Sequence, residues 1–447
     1  MQPLRPLAVV IALTLGAVIP ARADVPVPPT DPAVAAALAR ISPAALRATD
    51  TRLVSFGTRS TFSEDSGPRR GVFAARAYLL ARFRQIARTS GGRMTVSLDS
   101  YTQKADGKRV PRDVVISSVI ATLKGDDPSG RAFVFSSHYD SRDSDDADGV
   151  HDAPGADDNG SGTAAVLEAA RVLAALPVHA TVIFACFDAE EQGLFGSAHF
   201  AQTLKAEHVD VQGDLNDDIV GASVGDDGVK RDDVIRIFSE ALPVGAAPNR
   251  VNVVGGENDS PSRELARYVK ETSDAYVSDL HGMLIWRADR FLRGGDHESF
   301  NAQGFPAVRF TEPRETFAHQ HQNVRVENGV QYGDLEQYVD FDYLAKVARY
   351  DAASLAALAL APAAPKVSVV THELTNDTTL TWDAVPRAVR YEIVRRATTD
   401  PVWTSVQDAG DVTHVTLQAS KDDWIFGVRS VDAQGHRSVA AFPTPVR

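Results

Sequence analysis

Hydrophobic positions along this chain recur every third or fourth residue in some stretches and every second residue in others. Ala33 to Ala48 has the helical spacing, with Pro43 placed to open a second helix. Gly71 to Ala87 is the clearest amphipathic segment: Ala74, Ala75, Tyr78, Leu79, Phe83 and Ile86 can share one face. The period then changes to two. Met94 to Tyr101, Val114 to Leu123 and Ala132 to Ser137 read as strands, the last running into His138. Thr163 to Leu176 returns to helical spacing and is closed by Pro177. Thr181 to Phe187 is a continuous apolar run, the pattern of a strand buried on both faces. Glu191 to Leu204 predicts a helix, Val209 to Val220 and Val234 to Ser239 predict strands, and residues 259–275 predict a polar helix. A short helix over Asp296 to Gln303, a strand over 305–310 and a long Ala- and Leu-rich helix over Leu335 to Leu360 follow. Strands alternating with helices over residues 33–360 predict one α/β domain with a mostly parallel central sheet and helices on both faces.

Ala361-Pro362-Ala363-Ala364-Pro365 reads as a linker, and the pattern over 366–447 is all β. Short strands are predicted at Thr378 to Trp382, Tyr391 to Arg396, Val412 to Leu417 and Trp424 to Val431, enough for a small β-sandwich. Leu380-Thr381-Trp382, Tyr391-Glu392-Ile393 and Trp424 to Ser430, leading into Asp432-Ala433-Gln434-Gly435, resemble a fibronectin type III module. No chemistry is visible in this tail, and contact with a polymer or surface is the role such a module suggests. At the other end, Arg5, the apolar run Leu7 to Ile19 and Ala21-Arg22-Ala23 have the layout of a cleaved signal peptide over residues 1–23, with a Pro-rich linker over 24–32. A secreted or periplasmic protein is expected, with no membrane span in the mature chain.

Composition narrows this further. With 44% hydrophobic and 23% charged residues the chain is an ordinary folded protein, and 447 residues exceed one core. A net charge of -13 argues against nucleic acid as a partner. The single cysteine, Cys186, lies inside an apolar run, so no intrachain disulfide forms and the thiol is expected to be buried and inert.

The candidate chemistry sits where apolar segments end. His138 closes a strand, Asp157 and Asp158 lie in a Gly-flanked loop that opens a helix, Glu190 and Glu191 follow the buried strand, and Asp217 and Asp218 lie towards the end of the next. Ligand-type residues at successive strand ends are how an open α/β sheet presents a site. Mixed His and carboxylate donors without thiolates suit zinc or a similar ion. In an adjacent pair such as Glu190-Glu191, one carboxylate can bind metal while the other stays free as a base. The acids Asp143, Asp145, Asp146, Asp148 and Asp152, with His151, read as a solvated loop, and no Glu stands at the twelfth position that an EF-hand requires. Asn159-Gly160-Ser161-Gly162 is not a nucleophile elbow, because Gly directly precedes the serine.

Taken in order, His138-Tyr139-Asp140-Ser141, Ala153 to Gly162 (APGADDNGSG) and Phe187 to Ser197 (FDAEEQGLFGS) resemble the co-catalytic di-zinc aminopeptidase family, the aminopeptidase Y type. The resemblance extends through Phe56-Gly57-Thr58-Arg59, Asp218-Ile219-Val220-Gly221, Asp296-His297 and Gly304-Phe305-Pro306, and covers about residues 40–360. It implies two zinc ions, with His138, Asp157, Glu191, Asp218 and His319 as ligands. Asp157 would bridge the two, and its bond to Asp158 would be cis. Glu190 would be the general base, Asp140 would orient His138, and Asp296 and His297 would line the site. His319-Gln320-His321 offers two histidines for the last position, and His319 is taken ahead of His321 because Asn323 stands where the family commonly has an acid. The implied activity is removal of residues from peptide or protein N-termini. The same fold also serves carboxypeptidases and glutaminyl cyclases, and a non-catalytic binding protein is the third alternative. No ligand position lacks a candidate, which disfavours the last two.

Overall fold

The computed structural model describes residues 27–241 and 259–446. The segment read as a signal peptide lies outside the described residues.

Helix starts carry the expected punctuation. α1 (Pro32–Leu38), α2 (Pro43–Val54) and α6 (Pro261–Tyr276) each have proline at their first position and are capped by Asp31, Ser42 and Ser260. α3 (Gly71–Ala87), α4 (Gly162–Leu173), α5 (Phe195–Ala206) and α7 (His297–Ala302) complete the set, with α8 (Phe341–Leu360) capped by Asp340. No described helix is long and apolar enough to cross a membrane.

Eight strands form one sheet: β1 (Met94–Gln103), β2 (Val114–Leu123), β3 (Ala132–His138), β4 (Thr181–Phe187), β5 (Val211–Asp217), β6 (Val234–Ser239), β7 (His281–Ile285) and β8 (Ala307–Thr311), in the order β1-β2-β4-β3-β5-β8-β6-β7. The central run β4-β3-β5-β8 is parallel, as are β6 and β7. The pairings β1–β2, β2–β4 and β6–β8 are antiparallel, so the sheet is mixed around a parallel centre. β4 shows how both faces are filled. Val182, Phe184 and Cys186 join the core under α1–α4, α6 and α8, while Ile183, Ala185 and Phe187 join a second core with Phe200 of α5 and Phe300 of α7. Burial pushes the Cys186 thiol up to about 12, which leaves it unreactive.

The C-terminal part forms two further sheets. After the small hairpin β9 (Arg325–Glu327) and β10 (Val330–Tyr332), one contains β11 (Val367–Val370), β12 (Thr378–Trp382), β15 (His414–Leu417) and β17 (Thr444–Val446). The other contains β13 (Arg390–Ala397), β14 (Ser405–Gly410) and β16 (Trp424–Val431). Leu380, Trp382, Tyr391, Ile393, Phe426 and Val428 from the two sheets share one core.

This module is bound tightly to α6. Arg267 lies 2.7 Å from Asp259 and 2.8 Å from Glu264, all three buried. From the module, Arg396 also pairs with Asp259, and Trp403 donates its indole N–H to Glu264 at 3.0 Å. Arg429 holds Glu271 in a two-pronged contact at 2.8 and 2.6 Å.

Candidate metal centre

The parallel strands deliver their C-terminal ends to one place. His138 is the last residue of β3, Glu190 and Glu191 follow β4, and Asp218 follows β5. Asp157 and Asp158 lie in the irregular turn Ala156–Ser161 that feeds α4, and His321 lies in the loop after β8.

Asp158 is the carboxylate at the middle of the group. Its Oδ1 lies 3.3 Å from Nε2 of His138, and its Oδ2 lies 3.0 Å from Nε2 of His321. Each histidine has a further carboxylate of its own. Asp218 Oδ1 is 3.6 Å from His138 Nε2, and Glu191 Oε2 is 3.0 Å from His321 Nε2. Glu190 Oε2 stands 4.0 Å from His138, and its side chain is 13% exposed against 3–5% for Glu191, Asp158 and Asp218. Glu190 is therefore the most accessible of these carboxylates.

The neighbouring Asp157 faces away from this group. Its Oδ1 accepts a hydrogen bond from Gly221 N–H at 2.7 Å, and its carboxyl meets that of Glu312. A side chain on Gly221 would collide with Asp157 and Ser161, so the approach depends on glycine. The cis peptide falls between Asp158 and Asn159, one residue later than expected from Asp157. His319 is also elsewhere: its ring stacks on Tyr338, with centroids 3.6 Å apart. The structure thus brings Asp158 and His321 into the group, and places Asp157 and His319, the residues expected from the sequence, outside it. Backbone direction decides both, and His321 itself has a positive φ of 52°.

Several groups hold the arrangement. Asp140 takes the amide N–H groups of Glu190 and Glu191 at 3.3 and 3.2 Å, and lies 3.5 Å from His138 Nδ1. Asp334 accepts the amides of Asp157 (2.9 Å) and Asp158 (2.7 Å). Arg309, fully buried in β8, reaches Asp218 at 2.9 Å and Asp289 at 2.8 Å. Arg59, also buried, donates to the carbonyls of Tyr139 and Gly155 at 2.7 and 2.8 Å and to that of Pro154, which fixes the loop before the turn. Ala189 and Ile219, beside Glu190 and Asp218, have φ of 63° and 60°. Such values are uncommon for any residue but glycine, and most of all for the β-branched Ile219, and mark positions where the fold overrides local preference.

The electrostatics follow from burial and crowding. Burial alone would lower the His321 imidazole, but Glu191 and Asp158 push it up to about 10. His138 likewise stands well above its ordinary range, with Glu190, Asp140, Asp158 and Asp218 outweighing burial. Burial raises Glu190 well above the usual carboxylate range, with Asp218, Glu191 and Asp296 adding to it against the opposing effect of His138. Asp296 is buried and raised to about 7 by burial, against the opposing effects of His138 and of a hydrogen bond from Ser197. His297 turns to the Ala288 carbonyl at 2.9 Å. Asp217 points the other way from Asp218 and faces Asp351 of α8; burial holds both carboxyls well above the usual range, with Asp218 adding to it at Asp217 and Asp217 adding to it at Asp351, and a hydrogen bond between the two lets the pair share a proton.

Two observations fit cations here. His138 Nε2 and Glu191 Oε1 are buried without hydrogen-bond partners among the described residues. His138 groups with Asp158 and Glu191, and again with Glu190 and Asp218, each set within 4.8 Å. Imidazole with carboxylate is a zinc-type donor set.

Sequence reasoning missed Arg309, Asp334 and Glu312. Only Arg309 left a signal, as a charged residue inside the apolar run Ala307 to Phe310.

The description of Peptidase family M28 matches residues 118–328. A "Probable zinc metalloprotease" of Leptosphaeria maculans is 44% identical over 94% of this chain and 98% of its own length. One from Pyrenophora teres f. teres is 44% identical over 94% of this chain and 88% of its own. Among solved structures, the LapA aminopeptidase of Legionella pneumophila is 21% identical with a TM-score of 0.51, over 73% of this chain and 74% of that one. An aminopeptidase from Aneurinibacillus sp. strain AM-1 is 17% identical with a TM-score of 0.51, over 72% of this chain and 95% of that one. These structures share the α/β fold. With relatives this similar along nearly its whole length, the chain belongs to peptidase family M28, a family of zinc metalloproteases.

Proposed function

We propose that this protein is an aminopeptidase that holds two zinc ions through five side chains: His138, Asp158 and Asp218 on one side, and His321, Asp158 and Glu191 on the other. The observation that carries this reading is the division of Asp158, whose two oxygens face two different histidines. Bound there, zinc would act as a Lewis acid that lowers the pKa of water and offsets charge on a carbonyl oxygen.

The chain's own residues supply the proton handling. Glu190 is beside the group yet partly open, so it takes a proton from water as the water oxygen attacks the peptide carbonyl. When the C–N bond breaks, Glu190 returns that proton to the departing amine. Asp140 fixes the backbone of Glu190 and Glu191 and orients His138, as a metal-binding histidine requires. Arg309 neutralises the far oxygen of Asp218 and keeps it ionised.

Peptide and protein N-termini are the substrates this reading assigns. The test is release of amino acids from a panel of aminoacyl anilides and N-terminally blocked peptides, with and without chelator. Chelator-sensitive cleavage of free N-termini is expected. Cleavage of blocked peptides alone would overturn the exopeptidase assignment.

A further inference from the structure

Between His138 and the turn at Ala156 the chain forms the acidic loop 142–152, which the sequence presents as solvated. Asp143 departs from that reading, because it is 2% exposed. Its Oδ1 accepts the Asp145 amide at 2.8 Å, while its Oδ2 is buried with no hydrogen-bond partner among the described residues. The other acids have separate occupations. Asp146 lies between Arg109 at 3.4 Å and Arg142 at 3.7 Å, and Asp152 pairs with Arg70 at 2.7 Å. Among the described residues neither Asp143 nor Asp148 forms an ion pair with lysine or arginine; Asp148 Oδ1 accepts the Val150 and His151 amides at 2.6 and 3.0 Å, and His151 Nδ1 lies against its Oδ2. Asp143, Asp148 and His151 each offer a ligand atom, and the three atoms lie within 4.8 Å of one another. A buried carboxylate oxygen without a hydrogen-bond partner is costly, and a bound cation removes that cost.

We infer that Asp143, Asp148 and His151 form a binding site for a further divalent cation, separate from the centre at Asp158. The imidazole selects a first-row ion such as Zn2+ over the oxygen-seeking Ca2+ and Mg2+. The loop touches both halves of the main centre. Gln192, next to Glu191, donates to the Asp146 carbonyl at 3.1 Å, and Asn323, two residues after His321, accepts the Ser144 amide at 3.2 Å. A cation here braces the segments that carry Glu191 and His321 without touching substrate.

The test compares wild type, Asp143→Asn and His151→Gln, each stripped with chelator and dialysed against buffered micromolar Zn2+ or, in a parallel arm, Ca2+. Zinc per chain is measured by mass spectrometry, and hydrogen exchange is followed at residues 142–152. Each variant is expected to bind one zinc fewer than wild type and to lose the zinc-dependent protection of the loop. His151 is exposed, so its variant reports even where Asp143→Asn folds poorly. His321→Ala serves as the separating control: it empties part of the main centre while the loop keeps its zinc-dependent protection. Equal zinc content in wild type and both loop variants would overturn the site. Loop protection by Ca2+ but not Zn2+ would overturn the choice of ion.

Discussion

Arg309 Nη2 lies 2.9 Å from Oδ2 of Asp218, and both residues are buried. The opposite oxygen of Asp218 faces His138, so the arginine sets the charge and aim of a candidate ligand from behind. Arg309→Met should therefore weaken zinc binding by roughly 10- to 100-fold, the usual cost of losing a partner behind a ligand. Competition with a chromophoric chelator would show this, and unchanged affinity would contradict the role.

His319 and His321 separate by experiment. His321→Ala should lower zinc content and abolish most turnover. His319→Ala should leave zinc bound and lose only the contact with Tyr338, on the order of 1 kcal/mol. The reverse pattern in metal analysis and thermal denaturation would return the ligand role to His319.

How far the site could be read from sequence differs residue by residue. β2, β4, β6, β12 and β16 have the predicted boundaries, because each is a run of apolar or alternating residues with clear ends. His138, Glu190, Glu191 and Asp218 are legible because parallel strands put their C-terminal ends together. Asp157 and Asp158 are adjacent in an irregular turn, where no period tells which carboxylate faces inward. His319 and His321 are two apart in a loop, and the positive φ at His321 has no sequence signature. Asp334, Glu312 and Arg309 come from distant segments that only the fold brings together. β11, β14 and β17 are short and partly exposed, so their patterns are weak.

The module interface gives a stability prediction. Arg267→Ala would leave Asp259 and Glu264 buried with one positive partner fewer, a change that costs about 3 kcal/mol in comparable buried pairs. Wild type should unfold in a single calorimetric transition, and the variant should show the C-terminal module melting separately or earlier. An unchanged melting profile would show that the interface contributes little.

The Asp217–Asp351 pair gives a pH prediction. Burial first, then Asp217, holds the Asp351 carboxyl well above its ordinary value of 3.8. The folded chain therefore binds more protons than the unfolded one, so this contribution is full below about pH 4 and is lost as pH rises. Asp351→Asn removes that loss, so the variant should gain stability relative to wild type from about pH 4 towards neutrality. Urea unfolding across that range would measure it, and a difference independent of pH would contradict the shared proton.

The most direct test of the central claim is zinc content and turnover of Glu190→Ala, measured on the same preparation. Glu190 is read as the base and proton carrier, while the zinc is held by its neighbours. The variant should bind zinc as wild type does and hydrolyse aminoacyl anilides at least about 10²-fold more slowly. Turnover near the wild-type rate with zinc bound would contradict the account.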